Sequence, residues 1–195
     1  MAKDMNETQL MWLEIIHRVI TAPRFDLAKG DLNYVLRNML AKFTSSTETY
    51  YVSVGVEELI NRDEILSAEF AKRAPIDLGK LFYGKASRST KLGFPTMFEH
   101  TVPVAVLRNE LLKVRERYLS RQLSDDTTFD ETKQVLSNCG EVVIVLKEEN
   151  KRLSRATMPA GWIFGEGCSF ARYEAATPPV KIGSLIAYRN ESIRR

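Results

Sequence analysis

The run Glu141-Val142-Val143-Ile144-Val145-Leu146 constrains the fold of this chain more than any other stretch. After the glutamate it is unbroken by any polar residue, and four of its five apolar side chains are β-branched. Such a run reads as a strand buried on both faces, because alternation with polar residues marks a strand that has one face in water. A strand covered on both sides needs neighbours along both edges and further elements packed above and below. It is therefore expected in the middle of a small sheet, within a fold that also supplies helices.

The first part of the chain supplies them. Asn6 and Gln9 have the spacing of a capping pair, and Leu10, Leu13, Ile16, His17 and Ile20 follow with helical periodicity until Ala22-Pro23. His17 falls on or beside the apolar stripe and reads as a core or boundary histidine. A second helix is announced by Gly30-Asp31 and carries Leu32, Val35, Leu36, Met39, Leu40 and Phe43 before the polar turn at residues 44–47. Residues 50–54 are β-prone, although they can equally run into a helical segment at 56–60. Asp63 can cap a further helix reaching Lys72, which Pro75 closes.

Beyond the middle of the chain, residues 123–130 form a polar break, 129–139 a short helix ended by Gly140, and 169–173 a candidate second strand. Residues 182–188 make a last apolar segment ahead of a basic tail. The class expected is α+β, with a helical N-terminal half and a small β-sheet with helices in the C-terminal half. At 195 residues the chain fits a single domain over 1–195. Possible lobes are a helical one at 1–77 and an α+β one at 95–195, joined by a basic loop at 78–94.

Composition narrows the class without pointing to a partner. An apolar content of 44% and a charged content of 27% exclude a disordered or fibrous chain, and a net charge of +3 implies no ligand by itself. Cys139 and Cys168 have no metal-binding spacing and cannot build a disulfide framework, and two free, buried thiols in a reducing compartment are expected. Residues 1–6 are polar, no apolar run is long enough to cross a bilayer, and a cytoplasmic protein without a membrane association is expected.

The chemistry concentrates in residues 94–118. Glu99-His100 precedes Thr-Val-Pro, and then Val104, Leu107, Leu111, Val114 and Tyr118 draw an apolar stripe along a helix. Pro103 suits the first turn, where its missing N–H has no internal acceptor to satisfy. Glu99 and His100 are thus expected at or just ahead of a helix N-terminus, a place that favours anions such as phosphate. Just upstream, Lys80, Lys85, Arg88 and Lys91 stand between residues 78 and 98 without an intervening acid, as a contact with a nucleic-acid backbone would require.

The acidic-His-x-x-Pro element resembles the first motif of HNH-type nucleases. That resemblance implies a metal-dependent nuclease in which Glu99 holds Mg²⁺ or Mn²⁺ and His100 is the general base on water. In that family an Asn on a following loop and a further His or Asn on a helix complete the site. Here the candidate Asn is Asn109, and the chain's other histidine, His17, lies upstream. Lys80, Lys85, Arg88 and Lys91, with Arg155 and Arg172, would hold nucleic acid.

Other readings of the same residues stay open. A histidine ahead of a helix often serves only the local backbone, and a Glu there is a common partner of the helix dipole. Glu149-Asn150-Lys151 has the Glu-x-Lys spacing of the PD-(D/E)xK nucleases, with Asp77 as the upstream acid. Cys139 or Cys168 could act as a nucleophile only with His17 or His100 brought alongside. A non-catalytic module that binds nucleic acid or a protein, such as an inhibitor or accessory factor, needs no site at all beyond a folded core and one charged or aromatic surface.

Overall fold

The computed structural model describes residues 5–22, 29–47, 49–62, 96–139 and 141–187. The helix expected from Asp63, the basic residues Lys80, Lys85, Arg88 and Lys91, and Asp77 lie outside them. The fold is α+β: helices and a small four-stranded mixed sheet make up the described residues. It divides into two compact units, each assembled from separate stretches of sequence. Met1–Thr47, Val102–Gly140 and Arg155–Ser169 form one, and Glu48–Thr101, Glu141–Ser154 and Phe170–Arg195 the other. The units interleave along the chain, so the division crosses the lobes expected at 1–77 and 95–195.

The first unit is helical. Helix α1 spans Glu7–Thr21 and starts with the expected capping box: Gln9 N–H donates to Asn6 Oδ1 at 2.9 Å, and Asn6 N–H donates to Gln9 Oε1 at 3.2 Å. Helix α2 spans Lys29–Ser45 and buries Leu32, Leu36, Leu40 and Phe43 against Leu13, Ile16, Val19 and Ile20 of α1. In the same unit lie two longer helices of the second half, Val104–Leu119 and Asp125–Cys139, which are numbered α4 and α5 below. They add Leu107, Leu111 and Val114, and Val135 and Leu136, to the same core. Pro103, expected in the first turn, is the N-cap residue just ahead of α4.

Helix α5 begins at Asp125, inside the stretch expected to be a loop. The Ser124 hydroxyl accepts the Thr127 N–H at 3.2 Å, and Asp125 and Asp126 lie in the first turn, where negative charge suits the helix dipole. The polarity that suggests an open loop is thus the signature of a helix start. Two fully buried threonines further along satisfy themselves on the helix, Thr128 Oγ1 donating to Ser124 O at 2.6 Å and Thr132 Oγ1 to Thr128 O at 2.7 Å.

A buried arginine ties this unit together. Arg115 of α4 is only 8% exposed, and its Nη1 donates to the carbonyls of Val19, Ile20 and Ala22 at 3.3, 2.7 and 3.1 Å. The last carbonyls of α1 have no partner within their own helix, and a guanidinium matches their partial negative charge.

The second unit holds the sheet. Strand β1 is Thr49–Ser53, followed at once by helix α3, Val54–Arg62; β2 is Thr96–His100, β3 Val142–Leu146 and β4 Ile182–Ala187. The order is β2-β3-β1-β4, with β1 and β3 parallel and the other pairs antiparallel. The strand expected from its apolar run is β3, and it is internal. Val142 and Ile144 face one core with Tyr50, Val52, Val56 and Ile60, while Val143 and Val145 face another with Leu153, Tyr173, Ala176 and Val180. Burial on both faces is what removes alternation from its sequence. The candidate strand at 169–173 is instead a short helix, Ala171–Glu174, numbered α7 after the four-residue helix α6, Lys147–Asn150.

The passage from β1 into α3 is closed by Glu149 of α6. Ser53 Oγ accepts the Val56 N–H at 3.2 Å and donates to Glu149 Oε2 at 2.5 Å, which also accepts the Leu146 N–H at 2.9 Å. Gly55 makes the approach possible, since a Cβ there would lie 2.6 Å from Glu149 Oε1.

Candidate functional site

Glu99 and His100 are the last two residues of β2, paired with Val143 and Val142 of β3. They were expected at or just ahead of a helix N-terminus; they end a strand, and Thr101, Val102 and Pro103 intervene before α4. The reason is the sheet itself. The ladder to β3 extends through His100, and Thr101 N–H still donates to Glu141 O at 3.0 Å, so the backbone remains extended up to the turn.

The Glu99 carboxylate meets Arg172, which α7 brings up beside the end of β2. Arg172 Nη2 lies 2.8 Å from Glu99 Oε2, and the arginine side chain is 3% exposed against 22% for the glutamate. The same guanidinium donates through Nε to Thr101 O at 3.1 Å, through Nη1 to Ser154 O at 2.6 Å, and through Nη2 to His100 O. Each of its nitrogens is therefore engaged, and three backbone carbonyls share its charge with one carboxylate. Burial of an arginine is tolerable when its donors are satisfied in this way.

Tyr173 completes the cluster and was not singled out by sequence reasoning. Its hydroxyl donates to His100 O at 3.1 Å, and its ring lies under the guanidinium, 5.1 Å from centroid to Cζ. Phe170 stacks edge-on between Tyr173 and Tyr51, at 6.2 and 4.9 Å between centroids. The one sequence signal was the adjacency of Arg172 and Tyr173 behind an apolar Phe-Ala pair, a pattern shared by many surface segments.

The electrostatics follow from this packing. Burial, reinforced by the nearby Arg172 charge, holds the His100 imidazole down to about 4, so the ring is neutral at physiological pH. Burial pushes the Tyr173 phenol well above its usual range, an effect that Arg172 opposes. A neutral imidazole whose affinity for a proton has been lowered this far is a weak base near pH 7.

The two residues expected to hold a divalent metal both have other partners. A cation at Glu99 would face the Arg172 guanidinium across the same carboxylate. Asn109, in α4 of the helical unit, offers its Oδ1 to Arg108 Nη2 at 3.1 Å. Among the described residues, no group of three or more His, Cys, Asp or Glu is placed to hold a metal ion.

The remaining candidates are divided between the two units. Arg155 is exposed in the helical unit, and Arg172 is committed to the cluster just described. Of the Glu-x-Lys pair, Glu149 closes the start of α3, and Lys151 Nζ pairs with the neighbouring Glu148 at 2.8 Å. His17 packs edge-on against Phe129 at 5.2 Å, with Nε2 3.4 Å from Asp125 Oδ1, as a boundary residue of the helical core. Cys168 is exposed rather than buried as expected, and its carbonyl accepts the Trp162 indole N–H at 2.9 Å. No helix among the described residues is long and apolar enough to cross a membrane. Comparison of the chain with protein-family models, curated proteins and solved structures finds no match.

Proposed function

We propose that this chain is a non-catalytic binding module in which Glu99 and His100 form a structural joint. The observation that carries the proposal is the closure of the Glu99 carboxylate by Arg172 at 2.8 Å. A carboxylate that positions a metal or a water must turn its oxygens toward that ligand. Here Oε2 is turned toward a buried guanidinium, which also holds the backbone at His100, Thr101 and Ser154.

The chemistry of His100 supports the same reading. General base catalysis is most effective when the base titrates near the working pH, and His100 is held far below it. Each unit meanwhile has its own apolar core, which is what a module needs to present a binding surface.

The test is incubation of the purified protein with single- and double-stranded DNA and RNA in Mg²⁺, in Mn²⁺ and in EDTA. The binding-module reading expects every substrate to remain intact. Metal-dependent cleavage that His100→Ala abolishes would overturn it and restore the metal-dependent nuclease.

A further inference from the structure

We propose that the outward stripe of α2 binds single-stranded nucleic acid, with Tyr34 stacking on a base while Arg37 and Lys42 hold phosphates. This deepens the binding-module reading and rests on it. The helix has two sharply different sides. Leu32, Leu36, Leu40 and Phe43 are buried, whereas Tyr34, Arg37, Asn38, Ala41 and Lys42 recur at three- and four-residue spacings and are all exposed.

The exposed side has the chemistry of a strand-binding surface. Tyr34 is 70% exposed, so most of a large aromatic ring lies in water, and a base offers such a ring a π-face whatever its identity. Asp31, exposed in the first turn, is the acid of this helix, and from residue 32 to residue 47 the sequence holds no Asp or Glu. Among the described residues neither Arg37 nor Lys42 has a carboxylate partner, in contrast to Lys113 and Arg117 of α4, which pair with Glu110 and Glu131 at 2.8 Å. Cations with no carboxylate partner among the described residues are available to replace the counterions of a polyanion.

The spacing suits a short stretch of strand. At the helical rise, Tyr34 and Lys42 are about 12 Å apart along the axis, and long side chains extend that reach to two or three nucleotides. Ala41 lies on the same face, and its small side chain leaves room for a backbone to approach. An acidic peptide would match the charges, but nothing in its chemistry calls for the bare ring beside them.

The experiment is fluorescence polarisation with a fluorescein-labelled single-stranded DNA of about 16 nucleotides, read as a function of salt. Tyr34→Ala should weaken binding about tenfold, within the range of one lost base stack. Arg37→Glu with Lys42→Glu should also weaken it and flatten the dependence of log affinity on log salt by about 1.4, the loss of two phosphate contacts. These exposed positions leave the fold intact, which circular dichroism checks. A strand that the wild type does not bind, variants that bind like the wild type, or displacement by a poly-glutamate peptide of equal charge would each overturn the α2 site. Cleavage of the strand in Mg²⁺ would instead overturn the non-catalytic reading, whether or not α2 holds the substrate.

Discussion

Arg172 Nη2 and Glu99 Oε2 lie 2.8 Å apart, and the arginine is sealed from water while the glutamate keeps a partly exposed edge. The pair is asymmetric in what it holds. Glu99 makes one contact with the guanidinium, whereas Arg172 also gathers the carbonyls of His100, Thr101 and Ser154, and so fastens α7 and the segment after α6 to the end of β2. Removing the arginine takes the guanidinium from the carboxylate and a donor from each of the three carbonyls, of which His100 O alone keeps the Tyr173 hydroxyl seen here.

Tyr173→Phe removes one hydroxyl from this arrangement. The His100 carbonyl keeps its bond from Arg172, so the loss should be modest, about 1 kcal/mol in a urea titration. Tyr173→Ala also empties a fully buried site and should cost about 3–5 kcal/mol.

Arg115→Leu should cost about 2–4 kcal/mol, because the carbonyls of Val19, Ile20 and Ala22 lose their shared donor in a buried setting. Arg115→Lys should recover only part of this, because the shorter lysine stem ends short of Nη1, the one nitrogen that reaches all three carbonyls. Chemical denaturation of both variants checks the order.

Acid should weaken the fold through His100. The folded imidazole releases its proton near pH 4 and the unfolded one near pH 6.5, so between these values the unfolded chain binds the extra proton. Stability from this group is complete above pH 6.5 and is lost as the pH falls toward 4, by about 2–3 kcal/mol. Unfolding free energies measured across that window should fall less steeply in His100→Gln than in the wild type.

Gly55→Ala places a methyl group 2.6 Å from Glu149 Oε1, inside any normal contact distance. Glu149 must then withdraw from Ser53 and Leu146, and the variant should lose about 1–3 kcal/mol. Adding Glu149→Ala to it should make the glycine substitution cost less, which thermal unfolding of the single and double variants would show.

Much of the fold was legible because apolar patterning is local. The run at 141–146 announced an internal strand, and the Asn6–Gln9 spacing announced the start of α1. Two misreadings share a physical cause. Asp125 and Asp126 read as loop because their preference for a first helical turn depends on Ser124 acting as a cap, and residues 169–173 read as strand because their burial comes from covering β3 rather than from joining the sheet. The candidate site was legible in composition alone. Glu99, His100 and Arg172 were all named, but the ion pair between Glu99 and Arg172 spans 73 positions of sequence, a relation no spacing rule encodes.

The most direct test of the joint is a double-mutant cycle of Glu99→Gln and Arg172→Met, with unfolding free energies from urea titration and cleavage assayed on the same samples. A structural joint gives a coupling energy above about 1.5 kcal/mol, with Arg172→Met the more damaging single change at about 3–5 kcal/mol, and no cleavage in any sample. Coupling near zero, together with a wild-type nuclease activity that Glu99→Gln removes without loss of stability, would contradict it and mark Glu99 as a catalytic carboxylate.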